Sequence, residues 1–205
     1  MPRHDNAPEQ GLSYLSRYPI SVRMTSNAVV LCMLVVGFVG LYQIRLRSIP
    51  VLSYAFLAWS LLSLIYLLPK QACAHCFYFG KLCHTGWGKV AAWLFPKRDE
   101  AAFERSLAYP RFFWFALRLV PPTLMSGFLA YQLLTKQLLS VVTMIMLVNY
   151  LVLIRLNLYY KAQTGCLLCK MRLECPGGRW AEKQIKPAAK SKTLSKYGLP
   201  PRSEG

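Results

Sequence analysis

Polar and apolar positions in this chain fall into blocks rather than alternating. Four long apolar runs, roughly 28–44, 51–68, 112–134 and 138–154, are separated by stretches that carry nearly all the charge. Each run is about long enough to cross the ~30 Å hydrocarbon core of a bilayer as a helix rising 1.5 Å per residue. Helices buried in a soluble bundle would show a polar stripe at helical period, and these runs lack one. The pattern predicts an all-α, polytopic membrane protein. Its four transmembrane helices form two hairpins, each followed by a cytoplasmic cysteine cluster.

On that reading residues 1–26 form an N-terminal arm, 27–69 the first hairpin and 70–111 an inner segment with the first cysteines. Residues 112–160 form the second hairpin, 161–181 the second cysteine cluster and 182–205 a basic tail. The first run is longer than a signal-peptide core and follows a mostly polar arm, so it is expected to be a retained span. The tail is rich in Lys, Ser, Pro and Ala and is expected to be unstructured, because it has too little apolar surface to bury. Between the hairpins, Trp87 and Trp93 lie among glycines and lysines, a composition suited to the headgroup region. A short helix is expected from Asp99 to about Leu107, closed by Pro110. Pro121-Pro122 is expected to kink the third span. Asn149, near mid-membrane, is expected to hydrogen-bond between helices, with a ligand contact as the alternative.

Composition agrees with the pattern: 55% of the 205 residues are hydrophobic and 16% charged. The net charge of +17 is unevenly placed. Seven Lys or Arg lie between Lys70 and Arg111 and ten from Lys161 onward, whereas the short outer loops hold only Arg45, Arg47 and Lys136. The basic side is therefore expected to be cytoplasmic, in an inner or plasma membrane, with both termini inside. Attraction to anionic lipid accounts for the charge, and no nucleic-acid partner is expected.

The acidic residues, Asp5, Glu9, Asp99, Glu100, Glu104, Glu174, Glu182 and Glu204, all lie outside the apolar runs. That argues against an ion or proton path at membrane depth. The three histidines, His4, His75 and His84, also lie outside the runs, which excludes a bis-histidine haem within the bundle. No phosphate-binding glycine loop, dinucleotide fingerprint or hydrolase elbow occurs, so an enzyme acting alone is not expected.

The chemistry lies in the cysteines. Cys73, Cys76 and Cys83 follow the first hairpin, and Cys166, Cys169 and Cys175 follow the second; only Cys32 lies within a run. A Cys-x-x-Cys step places two sulfurs on one turn, and a third can fold back to share a metal. On the reducing cytoplasmic side these six are expected to be thiolate ligands rather than disulfides. His75 and His84 could complete a zinc site in the first cluster, and the two clusters could share one platform. Cys175-Pro176 resembles the ending of bacterial ferredoxin motifs, without their Cys-x2-Cys-x2-Cys-x3-Cys-Pro run. Arg118 and Arg155, near the basic ends of spans, could reach a lipid headgroup or a quinone oxygen.

The expected function is an iron–sulfur electron-relay subunit at the cytoplasmic membrane face. The alternative is a structural or assembly membrane protein with cysteine-bound zinc. The expected partners are the bilayer and other membrane or redox subunits, with homo-oligomerisation as a further possibility.

Overall fold

A computed structural model describes residues 14–45, 48–135, 138–172, 175–185 and 187–199. The start of the N-terminal arm, Arg47, Lys136 and the end of the tail, which carry part of the charge argument, lie outside the described residues. The described residues are all-helical: α1 (Ile20–Tyr42), α2 (Val51–Leu62), α3 (Leu68–Gln71), α4 (Trp87–Leu94), α5 (Phe103–Ser106), α6 (Ala108–Leu134), α7 (Val141–Tyr160), α8 (Pro176–Gln184) and α9 (Pro187–Lys196). Four of the helical stretches, beginning with α1 and α2 and including α6 and α7, are long and apolar enough to cross a membrane.

The chain divides into two compact units. The larger spans Arg17–Tyr160, and the smaller is built from the described residues up to Ser16 and from Lys161 onward. In the larger unit α1 packs most extensively on α7 and also meets α2 and α6, while α6 meets α7. Met33, Leu34, Leu41, Phe56, Phe113, Leu117 and Tyr150 form the core where these helices join. Two glycines of α1 permit the approach. A methyl at Gly37 would come within 3.0 Å of the Phe56 ring, and one at Gly40 within 2.5 Å of Met125.

Burial in α7 is inverted relative to a water-soluble helix. Its buried residues are Thr143, Tyr150 and Asn157, seven apart, while Ile145, Val148, Leu151, Val152 and Leu156 face outward. The α2 helix repeats the theme, with Ser53 and Ser60 inside and Tyr54, Leu61 and Leu62 outside. An apolar exterior around small or polar contacts is the solution a helix adopts in lipid, where the hydrophobic effect no longer draws leucines inward. Cys32 lies on the exposed side of α1.

The third span differs from the sequence expectation in two ways. It begins at Ala108, so Pro110 opens α6 instead of closing the helix before it. A proline in the first turn removes only an N–H that has no intrahelical partner. The expected short helix is split into a 3₁₀ turn at Glu100–Ala102 and α5, with the Asp99 carboxylate accepting from the Ala101 N–H at 3.0 Å.

The α6 helix also continues through the buried pair Pro121-Pro122. Pro121 has no N–H for the carbonyl four residues back, that of Leu117. The Tyr150 hydroxyl of α7 donates to that carbonyl instead. Asn149 does not make the expected helix–helix bond; its Nδ2 donates to Ile145 of its own helix at 2.8 Å. The polar link is one residue further on. Tyr150→Phe is therefore expected to strand the Leu117 carbonyl and cost about 1–3 kcal/mol. The readout is a lower unfolding midpoint in lipid with native helicity at low temperature; an unchanged midpoint would refute this role for Tyr150.

In the smaller unit, the segment expected to be an unstructured tail contains α9, and Lys190 pairs with Glu182 at 3.2 Å. Alanine and lysine are strong helix formers, and Pro187 occupies the tolerated first position. The buried Leu194 gives this helix an apolar contact.

Candidate functional site

The first cysteine triad follows the second span. The span widens into a π-helical turn at Ser63–Leu67, resumes as α3 and tightens to a 3₁₀ turn at Cys73–His75. Ser63 anchors the widened turn, bonding to the Trp59 carbonyl and to the Tyr109 hydroxyl of α6, each at 2.7 Å. The Cys76 N–H then donates to the Cys73 carbonyl at 3.2 Å, and the Phe79 N–H to the Cys76 carbonyl at 2.9 Å. Two successive turns thus carry the Cys-x-x-Cys step.

The chain returns to Cys83, whose carbonyl accepts from the Gly86 N–H at 3.0 Å and whose Sγ lies 3.4 Å from Thr85 Oγ1. Gly86, at φ +80°, provides the left-handed turn into α4. The entry to α1 and its first turns hold this loop: the N–H of Tyr18, just before the helix, donates to the Leu82 carbonyl at 3.0 Å, and Asn27 Nδ2 donates to the Thr85 carbonyl at 3.0 Å. Cys73 lies within electrostatic range of Cys83 and Cys76.

The second triad repeats the local geometry. A π-helical turn spans Lys161–Cys166, the Cys169 N–H donates to the Cys166 carbonyl at 3.3 Å, and the Arg172 N–H donates to the Cys169 carbonyl at 3.3 Å. A 3₁₀ turn at Lys170–Arg172 follows. Cys175 is the N-cap of α8, with Pro176 opening the helix, so the Cys-Pro pair has a local structural role. A methyl at Gly177 would lie 3.8 Å from both the Cys166 and Cys175 sulfurs, so these two sulfurs approach one point.

The two triads share a feature that spacing alone does not reveal. Each leads into a helix whose early glycine lies directly on the cysteine loop. A methyl at Gly88 would be 2.2 Å from the Tyr78 carbonyl oxygen and 2.6 Å from that of Lys81; one at Gly178 would be 2.2 Å from that of Arg172. Real side chains do not make such contacts, so both positions require glycine on packing grounds.

The histidines differ in their surroundings. His75 Nδ1 lies 2.8 Å from the Asp99 carbonyl. A carbonyl can only accept, so Nδ1 carries a proton and faces the Asp99 backbone, which directs the other ring nitrogen, Nε2, away from this contact. His84 packs its ring edge-on to Tyr18 at 6.0 Å. Arg172, which spacing did not single out, is buried beside the second triad, with Nη1 donating to the Leu167 carbonyl at 3.0 Å. This places a permanently charged guanidinium close to the Cys166–Cys169 turn. Arg118 is half-buried on α6, one turn before the prolines, and Arg155 is exposed on α7.

All seven cysteines are described as thiols, none in a disulfide. Among the described residues, no three His, Cys, Asp or Glu side chains converge into a group able to hold a metal ion. The backbone gathers sulfurs onto turns without aiming three of them at one point. The chain matches no family model, no curated protein and no solved structure.

Proposed function

We propose that this chain is an integral membrane metal-binding protein that relays electrons through a cysteine-ligated iron–sulfur centre. The centre would lie at the cytoplasmic membrane face, with the spans paired as two hairpins. The observation that supports this reading is the repeated pair of Cys-x-x-Cys turns. Each has the same backbone bond from second to first cysteine, and each is followed by a third cysteine leading into a helix. Cys73, Cys76 and Cys83 are the ligands offered by one triad, and Cys166, Cys169 and Cys175 those offered by the other. Loading would require the thiol side chains to turn inward and lose their protons. A soluble protein donor would reduce the iron by one electron, and a membrane or partner-subunit acceptor would take that electron away. The chain itself supplies ligation, burial and a basic surface for an acidic donor.

A second reading is favoured by one specific contact. The contact of His75 Nδ1 with the Asp99 carbonyl leaves Nε2 as the ring atom available for coordination, so His75 could complete a three-cysteine, one-histidine zinc site with the first triad. The protein would then be a structural or assembly subunit with no redox cycle. A redox titration of anaerobically purified protein separates the readings. Reversible one-electron bleaching is expected for the relay; a colourless zinc protein with no redox signal would leave the structural reading.

The topology has its own test. With both termini inside, a single cysteine at position 190, in a background without the native ones, is expected to react with an impermeant thiol reagent only from the cytoplasm. A cysteine at position 48 is expected to react only from outside. The opposite pattern would overturn the orientation and the argument that the cysteines remain reduced.

A further inference from the structure

We propose that α4 is an interfacial anchor that docks on the anionic headgroup layer of the bilayer its own chain crosses, and that this docking holds the loop carrying Cys76 and Cys83. The inference rests on the membrane reading but not on any bound metal.

The α4 helix has two unlike sides. Gly88 and Ala91 are buried, whereas Val90, Trp93 and Leu94 are exposed, Trp93 keeping 83% of its surface. A large, bare tryptophan next to valine and leucine is costly in water but favourable at a membrane boundary, where its amphipathic ring sits among headgroups. The position of α4 along the span also fits. Phe95, immediately after the helix, packs edge-on against Tyr66 at 5.4 Å, and Tyr66 lies in the π-helical turn of the second span. Lys70 donates to the Tyr66 hydroxyl at 3.3 Å, and Arg98 N–H donates to the Ala74 carbonyl at 2.9 Å. The end of α4 is thus tied to the last turns of an apolar helix, where hydrocarbon gives way to headgroups.

Charge selects the occupant. Lys81, Lys89, Lys97 and Arg98 are exposed around this helix. Lys97 is paired with Glu100 at 2.8 Å, and Asp99 also lies nearby. Even so, the inner segment from Lys70 to Arg111 carries seven basic residues against the three acidic residues Asp99, Glu100 and Glu104. An apolar ridge flanked by lysines complements an anionic leaflet better than a neutral one.

The coupling to the cysteine loop is steric. The backbone of α4 at Gly88 lies against the Tyr78 and Lys81 carbonyls, and the Gly88 carbonyl accepts from the Gly80 N–H at 2.9 Å. The loop between Cys76 and Cys83 therefore cannot shift independently of α4.

The test uses the full chain in nanodiscs of phosphatidylcholine alone or mixed with phosphatidylglycerol. Subtracting the emission of Trp93→Phe from that of wild type isolates Trp93, and its high exposure makes the substitution benign for folding. With phosphatidylglycerol, the Trp93 emission is expected to shift to the blue and to be quenched roughly twofold by lipids brominated near the headgroup. Amide exchange across residues 77–88 is expected to slow roughly threefold in the same discs, and Trp93→Phe should reverse part of that slowing. Emission quenched by aqueous acrylamide but not by brominated lipid would overturn the docking. So would a blue shift that depends on protein concentration, since that would assign the ridge to a second copy. Docking without a change in exchange would overturn the coupling. None of these readouts requires metal, so failure here is distinguishable from failure of the iron–sulfur reading.

Discussion

On the proposed ligation, replacing Cys76 with serine is expected to strip the first triad of metal while leaving the helices intact. Cys76 is the second residue of a turn closed by its own N–H on the Cys73 carbonyl. Serine can keep that backbone bond but offers a harder, far less acidic ligand. Loss of an outer-shell partner alone commonly lowers metal affinity roughly 10–100-fold, and loss of a direct thiolate should do at least as much. The measurement is metal per chain after equilibration with a competing chelator, with circular dichroism as the folding control. Cys169→Ser is the matching variant in the second triad. Cys32→Ser, on the outer side of α1, should leave metal content at the wild-type value. Undiminished metal in Cys76→Ser would remove this residue from the ligand set.

Alanine at Gly88 or Gly178 should be as damaging, by a different route. The added methyl in either case would meet backbone carbonyl oxygen at 2.2 Å, and backbone cannot rotate aside as a side chain can. Overpacking of this kind costs about 1–3 kcal/mol and sometimes more. Here the shift would fall on the segment joining the cysteines of each triad. Gly88→Ala is expected to lower both the unfolding midpoint and the metal retained by the first triad. Gly178→Ala should have these effects through the second. Gly127→Ala is the control, because nothing lies within 4 Å of a methyl there. In the interior of α6 that change should raise stability by about 0.5–1 kcal/mol. Equal behaviour of all three variants would mean that the two glycines have no special part in holding the cysteine loops.

The helices were legible because lipid demands continuous apolar sequence, and that demand is written in the chain. Their ends were less so. The turns from Ile20 to Ser26 read as part of the arm because they include Arg23 and Ser26, yet they belong to α1, and Asn27, which follows them, reaches Thr85. Pro110 read as a terminator because proline both ends helices and starts them, and only the path of the chain decides which. The seven-residue spacing of Thr143, Tyr150 and Asn157 was available in the sequence and would have indicated Tyr150, rather than Asn149, as the inward polar residue. No comparable signal marks Gly88 and Gly178, because their role depends on carbonyls brought in by a loop six or more residues away. The cysteine turns follow from Cys-x-x-Cys spacing. The outer bond of His75 to a carbonyl 24 residues along the chain does not.

The most direct test is metal and acid-labile sulfide analysis of the anaerobically purified full-length protein, with its absorption spectrum. The iron–sulfur reading predicts a brown protein that contains iron and sulfide, both lost when Cys73, Cys76, Cys83, Cys166, Cys169 and Cys175 are all replaced by serine. Metal-free protein that keeps full helicity and thermal stability would contradict it.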